Sequence, residues 1–200
     1  MENKDNFAPK AEEVVGDKKQ NNGKNTVVEN LYEWFESAIF AVITIVLIFS
    51  FVVRHVEVFG PSMQETLHTG ERIFISNLFY TPNRGDIVVV NQYPHEPLIK
   101  RIIAVEGDEL CIDDNTGDVY LNGELQNEAY VTGPTYTGGR GFPPDGVIVP
   151  AGCVFVMGDN RGDSTDSRDF SRVGFVEKKD IVGKAIFRFL PMDKFGGLYN

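Results

Sequence analysis

The chain has 200 residues and a formal net charge of −10. That length suits one compact domain with an appendage, and the acidic balance excludes the basic patch that a nucleic-acid binder needs. With 42% apolar and 12% aromatic residues, the chain carries enough for a real core and is not disordered as a whole. Two cysteines, Cys111 and Cys153, sit in apolar settings without CxxC or metal spacing. They read as two buried free thiols, the favoured case, or at most one disulfide, and neither has the cationic neighbour in sequence that would make it a nucleophile.

Residues 1–30 mix Lys, Glu, Asp, Asn and Gly in no period, which predicts a solvated, disordered tail. The stretch 34–53 then carries one acid, Glu36, near its polar end and no charge from Ala38 to Val53. That is about the length needed to cross a ~30 Å hydrocarbon layer. Tyr32 and Trp34 suit an interfacial belt, and Arg54 closes the other side. A core helix does not stay apolar on all faces for so long, and FSFVVRHVEV offers no small-residue cleavage site. An uncleaved transmembrane signal anchor over 34–53 is expected. Lys18, Lys19 and Lys24 before it outnumber Arg54 and Arg72 after it, which predicts a cytoplasmic N-terminus and residues 54–200 outside the cytoplasm.

From Val56 onward, short β-rich runs alternate with turn signals: RIFIS, DIVVV, LIKRIIAV, VYLNGEL, GVIVP, CVFVMG and VGKAIFRFL. Asn122-Gly123 marks a hairpin turn. The Pro/Gly-rich stretch 133–146 reads as a loop, either a lid or plain surface. No long helical period and no internal repeat follows the anchor. The fold class expected is mainly β: an antiparallel β-sheet or barrel-like domain, closed or nearly so, behind one N-terminal transmembrane helix.

GPSMQETL, residues 60–67, places Ser62 where chemistry is conceivable. A hydroxyl is a weak nucleophile unless a base takes its proton. His55, His68 and His95 each read as ordinary surface or loop histidines, because none is backed by an orienting acid in a matching motif. LIKRIIAV offers another base. As a strand it sets Lys100 between aliphatic neighbours on one face. A free lysine with pKa near ~10.4 is neutral in only about one molecule in 2,500 at pH 7. Burial can lower that value by several units, to a general base working near neutrality. Taken alone, Lys100 reads better as a solvated edge-strand lysine. Ser62 and a third motif tip the reading: VMGDNRGDSTDSRDFSRVGFV, residues 156–176, a strand, a turn at Gly158-Asp159, and then Ser164, Asp166, Ser167 and Arg168. Its acids miss EF-hand spacing, since Arg161 stands where a ligand should. A structured loop with Asp–Arg pairing, holding a hydroxyl near the site, is expected instead.

GPSM (60–63), the run from RIFIS to RGDIVVV, LIKRIIAVEGD (98–108) and GDNRGDSTDSR (158–168), in this order behind an anchor, resemble the bacterial type I signal peptidases, of the single-anchor Gram-positive type. These are membrane-anchored Ser/Lys endopeptidases. The resemblance implies Ser62 as nucleophile and Lys100 as general base. It gives Ser164 as the hydroxyl orienting the lysine amine, and Asp166 and Arg168 as an ion pair beneath the site. It also implies the Ser62 N–H as an oxyanion donor. Gly60 stands where some members carry a second donor, a serine hydroxyl. Glu65 stands where the family usually has proline. Val56, Val58, Met63, Leu67 and Ile99 match positions lining shallow pockets for small side chains, although each reads equally as β-core. The implied substrates are secretory preproteins with signal peptides, cut after a small-x-small (Ala-x-Ala) stretch, with no metal and no cofactor. Membrane lipid is the other expected partner, nucleic acid is not one, and a monomer is expected. The chain from Arg54 to Ser62 spans at most about 27 Å when extended, so the serine is expected close to the bilayer.

Two other readings compete. A self-cleaving repressor-type regulator would need a DNA-binding domain where this chain has its tail and anchor. A catalytically silent, membrane-anchored binding module draws support only from Gly60 and Glu65, and the presence of both Ser62 and Lys100 counts against it.

Overall fold

The computed structural model describes residues 22–92 and 94–199. The tail expected over residues 1–21 lies outside the described residues. A helix, α1, runs Asn22–Val52. Its segment Val27–Ile48 is long and apolar enough to cross a membrane, with mean hydropathy 1.8 and none of it buried. Phe35, Ile39, Phe40 and Ile43 all stand exposed, which is compatible with a membrane anchor. The helix begins before the expected tail ends, so residues 22–30 are helical rather than disordered. Starting a helix is costly but lengthening one is cheap, and the apolar span supplies the start.

Twelve strands follow: β1 Arg54–Glu57, β2 Arg72–Ser76, β3 Ile87–Val90, β4 Leu98–Val105, β5 Glu109–Asp113, β6 Asp118–Leu121, β7 Glu124–Leu125, β8 Val147–Ile148, β9 Cys153–Met157, β10 Val176–Glu177, β11 Ile181–Leu190 and β12 Gly196–Gly197. They form two sheets. The larger has the order β1-β2-β11-β3-β4-β9-β10, with β12 beside β11, and the smaller has the order β7-β6-β5-β8. Every pairing is antiparallel. The larger sheet curls into a half-barrel. It is open, with β1 and β10 as its edges.

Alternation explains the strands. In β2, Ile73 and Ile75 are buried while Phe74 between them faces the other way, as period-two patterning requires. β3 and the middle of β4 are buried on both faces. β4 lies between β3 and β9, which removes the edge-strand reading of Lys100. The hairpin at Asn122-Gly123 forms between β6 and β7, with positive φ at both residues, as a type I′ turn demands. One buried cluster, built on Val58, Met63, Leu67, Ile73, Ile75 and Ile87, packs behind the segment that carries Ser62. A second, around Phe142, Phe155 and Met157, joins the smaller sheet to β9.

Candidate active site

Ser62 lies on the irregular segment between β1 and β2. Its neighbours Met63 and Leu67 are buried, and the Leu67 N–H donates to the Met63 carbonyl, 2.8 Å. Two apolar anchors thus fix a short turn from which Ser62 reaches Lys100 and Thr66 reaches Asp159. Lys100 extends from β4, opposite Val88 of β3. Its Nζ stands 2.7 Å from Ser62 Oγ and 3.0 Å from the Ile99 carbonyl oxygen. Lys100 is 2% exposed, and no carboxylate among the described residues forms an ion pair with it. Burial pushes its amine down to about 8. The more distant charges of Asp166 and Asp159 act against that shift, and Arg168 reinforces it. Removal from water disfavours the charged ammonium, so the base is made by what surrounds it.

The third wall is the loop after β9. Ser167 closes it, because Val156 N–H donates to Ser167 Oγ at 3.0 Å and Ser167 N–H donates to the Val156 carbonyl at 3.0 Å. Within the loop, Arg168 grips Asp166 with two bonds of 2.8 Å each, and donates further to the carbonyls of Tyr136 and Arg161. Burial pushes the Asp166 carboxyl up, but the Arg168 guanidinium and the Gly158 N–H more than offset this and hold it below the usual range. The ion pair implied for Asp166 and Arg168 is therefore present and buried.

Ser164 is buried, but its Oγ has no hydrogen-bond partner of normal geometry and does not bond Lys100. The Lys100 amine is held by Ser62 and the Ile99 carbonyl instead. Val58, Met63 and Leu67 are fully buried core residues, whereas Val56 and Ile99 pack on the same cluster while keeping exposed surface. Of the five, only these two present side chain at the surface.

Gly60 has φ +81° with open space where a Cβ would go. Backbone conformation, not crowding, favours glycine here. Among the described residues no acceptor takes the Ser62 N–H, which leaves that donor unspent. The segment 133–146 is pinned rather than free. Arg140 donates to the Ser164 carbonyl at 3.0 Å, Tyr136 accepts from Arg168, and Phe142 is buried among Phe155 and Phe170.

Three residues of the GDNRGDSTDSR stretch hold contacts that the sequence did not assign to them. Gly158 has no room for a Cβ, which would collide with the Ser62 carbonyl oxygen and Ser164 Oγ. Asn160 donates its N–H to the Ser62 carbonyl at 3.1 Å and its side-chain amide to the Pro61 carbonyl at 3.2 Å. Asp159 accepts from Arg101 at 2.8 and 2.6 Å and from Thr66 Oγ1 at 2.5 Å. A glycine between a strand and an acidic turn was the one hint available. A cleft of about 840 Å³, lined by Glu65, Thr66, Arg101 and Tyr130 among others, includes neither Ser62 nor Lys100.

Comparison with known proteins shows which family the chain is similar to. Residues 31–190 match the family described as signal peptidase, peptidase S26. A signal peptidase I of Bacillus licheniformis is 36% identical over 191 residues, covering 89% of this chain and 96% of the relative. A signal peptidase IB of Staphylococcus aureus is 32% identical over 188 residues, covering 86% and 96%. A crystal structure of a signal peptidase I from Enterococcus faecalis aligns with 28% identity over 52% of this chain and 97% of its own, at a TM-score of 0.42. By the family match and these two relatives, the chain belongs to the signal peptidase family, peptidase S26, and is a hydrolase that removes signal peptides from secretory preproteins.

Proposed function

We propose that Ser62 is the nucleophile and Lys100 the general base of this cleavage. The observation that carries the reading is the 2.7 Å approach of a buried amine, lowered to about 8, to a serine hydroxyl. The Ser62 Oγ proton passes to neutral Lys100 Nζ as Oγ attacks the scissile carbonyl carbon. The resulting oxyanion is held by the unspent Ser62 N–H. When the C–N bond breaks, Lys100 returns the proton to the leaving amine. It then takes a proton from the water that attacks the acyl-serine, releasing the carboxylate and restoring Ser62. Asp166 and Arg168 brace the loop behind the amine, and Ser164 turns its hydroxyl toward Lys100 once substrate is seated.

Specificity for small-x-small sites follows if Val56 and Ile99 form the pocket rims, with Val58, Met63 and Leu67 filling the floor. Gly60 leaves the oxyanion site with a backbone donor and no second hydroxyl. We assign residues 34–53 to a single membrane span, residues 1–30 to the cytoplasm and residues 54–200 to the extracytoplasmic side. The enzyme acts as a monomer against lipid, without nucleic acid, metal or cofactor.

The test is cleavage of an Ala-x-Ala preprotein in detergent micelles by the full chain, Ser62→Ala and Lys100→Ala, each checked for folding. Both variants should be folded and inert. A folded Lys100→Ala that still cuts would remove the base assignment. A folded wild type inert on several preproteins would favour the silent binding module.

A further inference from the structure

The segment bearing Ser62 has no regular structure, yet it must hold a hydroxyl at bonding distance from Lys100. One side of it is fixed by Asp159 and Asn160. The other is fixed by a segment that lies past residue 190, where the family match stops. There β12 turns back along β11, opposite Phe187 and Arg188. Leu198 is 7% exposed and joins the buried cluster of Val58, Met63 and Leu67. Tyr199 Oη accepts the Ile87 N–H at 3.0 Å and donates to the Ala185 carbonyl at 2.8 Å, tying the segment to β3 and β11.

A polar set runs alongside. Arg188 donates to the Thr66 carbonyl at 3.2 Å and to the buried Glu71 carboxylate at 2.7 Å. Lys194 Nζ reaches the other Glu71 oxygen at 3.2 Å, and Arg188 Nε holds the Lys194 carbonyl at 2.8 Å. The Ser62 segment is thus gripped at Met63 and Leu67 by apolar packing, and at Thr66 and Glu71 by two cations of one hairpin.

We propose that Met192–Tyr199, with Arg188, is a latch that positions the nucleophile against its base. Leu198 is its apolar pin and Lys194 its polar one. These are positioning residues and touch no reacting atom. The inference rests on the Ser62–Lys100 reading. Its logic is that acylation needs Ser62 Oγ, Lys100 Nζ and the scissile carbon aligned, and a misplacement on the order of 1 Å can cost about 10²-fold in rate. Leu198 shares a buried cluster with Val58, Met63 and Leu67, the floor of the proposed pocket, so KM shifts slightly while kcat carries the main loss.

The experiment is steady-state cleavage of a preprotein by the full chain in detergent micelles, well below each variant's Tm. The variants are Leu198→Ala, Leu198→Met, Tyr199→Phe, Lys194→Ala and Ser62→Ala. Leu198→Ala should lower kcat about tenfold, with KM within about twofold, and Leu198→Met should recover most of it. Lys194→Ala, which breaks a part-exposed pair, should lower kcat about two- to threefold. A purely structural role would lower Tm and leave kcat of the folded enzyme unchanged, and that result overturns the latch. A loss confined to KM overturns it too. If Leu198→Ala does not fold, Tyr199→Phe and Lys194→Ala decide by the same split, since the first removes the two bonds of one hydroxyl and the second one ion pair. Cleavage surviving in Ser62→Ala would sink the dyad and the latch together. An inert Ser62→Ala beside fully active latch variants overturns the latch alone.

Discussion

The two faces of β4 treat adjacent cations in opposite ways. Lys100 and Arg101 are both at most 5% exposed. Arg101 receives a bidentate carboxylate from Asp159, the Gly85 carbonyl at 2.9 Å and the Tyr130 ring 3.9 Å from its guanidinium carbon. Burial works against the Arg101 charge, but Asp159 outweighs it and the guanidinium is raised. Lys100 receives a hydroxyl and one carbonyl, and burial prevails. One strand thus keeps one cation charged for structure and discharges its neighbour for chemistry. Partners, not depth, decide which.

Removing each cation in turn tests this contrast most severely. Lys100→Met should reduce kcat/KM more than about 10³-fold, because the serine loses its base. It should also stabilise the fold near neutral pH. Lowering a lysine from its usual ~10.4 to about 8 costs about 3 kcal/mol, and methionine removes that cost. Below pH 8 both folded and unfolded wild type hold the Lys100 proton, so the full cost applies. Between about 8 and ~10.4 the unfolded chain binds a proton the folded one lacks, so wild-type stability rises with pH. The gain from Lys100→Met, read by denaturant unfolding, should therefore vanish above that window. Arg101→Met should do the reverse and destabilise by roughly 3–5 kcal/mol, by leaving Asp159 buried and unpaired. A stable Arg101→Met or a destabilised Lys100→Met at pH 7 would break the comparison.

Gly158→Ala tests geometry without touching either charge. Its Cβ displaces the Ser62 carbonyl or Ser164, so kcat should fall on the order of 10²-fold. Titration sharpens the Lys100 side. In single-turnover assays kcat/KM should rise about tenfold per pH unit below 8 and level off above it, and a flat profile from pH 6 to 9 would refute a titrating base there. The smallest effect is expected from Gly60→Ser, where positive φ costs roughly 1 kcal/mol of stability; the measurement is Tm beside kcat. An unchanged Tm would show that the φ constraint is weak.

How much of this could be read beforehand depends on the range of the interactions. β4 was legible end to end as LIKRIIAV, and the hairpin at Asn122-Gly123 followed from turn chemistry alone. Both rest on near neighbours. Ser62 and Lys100 were legible because motif order and resemblance carried them, while strand patterning left Lys100 equally suited to a sheet edge. Only the pairing of β4 with β3 and β9 settled its burial. The Arg101–Asp159 pair joins residues far apart in the chain, with no local pattern to announce it. Ser164 was expected on the amine and is not bonded to it here, and Met63 and Leu67, for which pocket lining and plain core were both open, are buried. Rotamer and depth are properties of the packed whole, which residue type and spacing do not carry. The helical residues 22–30 were missed because composition describes isolated chain, whereas a helix already begun extends cheaply.

Among the described residues no carboxylate pairs with Lys100, and this also makes it chemically conspicuous. At pH 8 about half of its amine is free base, against about one in 250 for an ordinary exposed lysine. Most lysines on this surface are therefore poor targets for a small acylating or carbonyl reagent at that pH. Lys100 differs from them in ionisation and in depth: it is only 2% exposed, so a reagent meets its amine only where it also meets Ser62 Oγ, 2.7 Å away. Covalent tagging at mild alkalinity, followed by peptide mapping, would single it out, and a reagent carrying electrophiles for both side chains would bridge a hydroxyl and an amine already 2.7 Å apart.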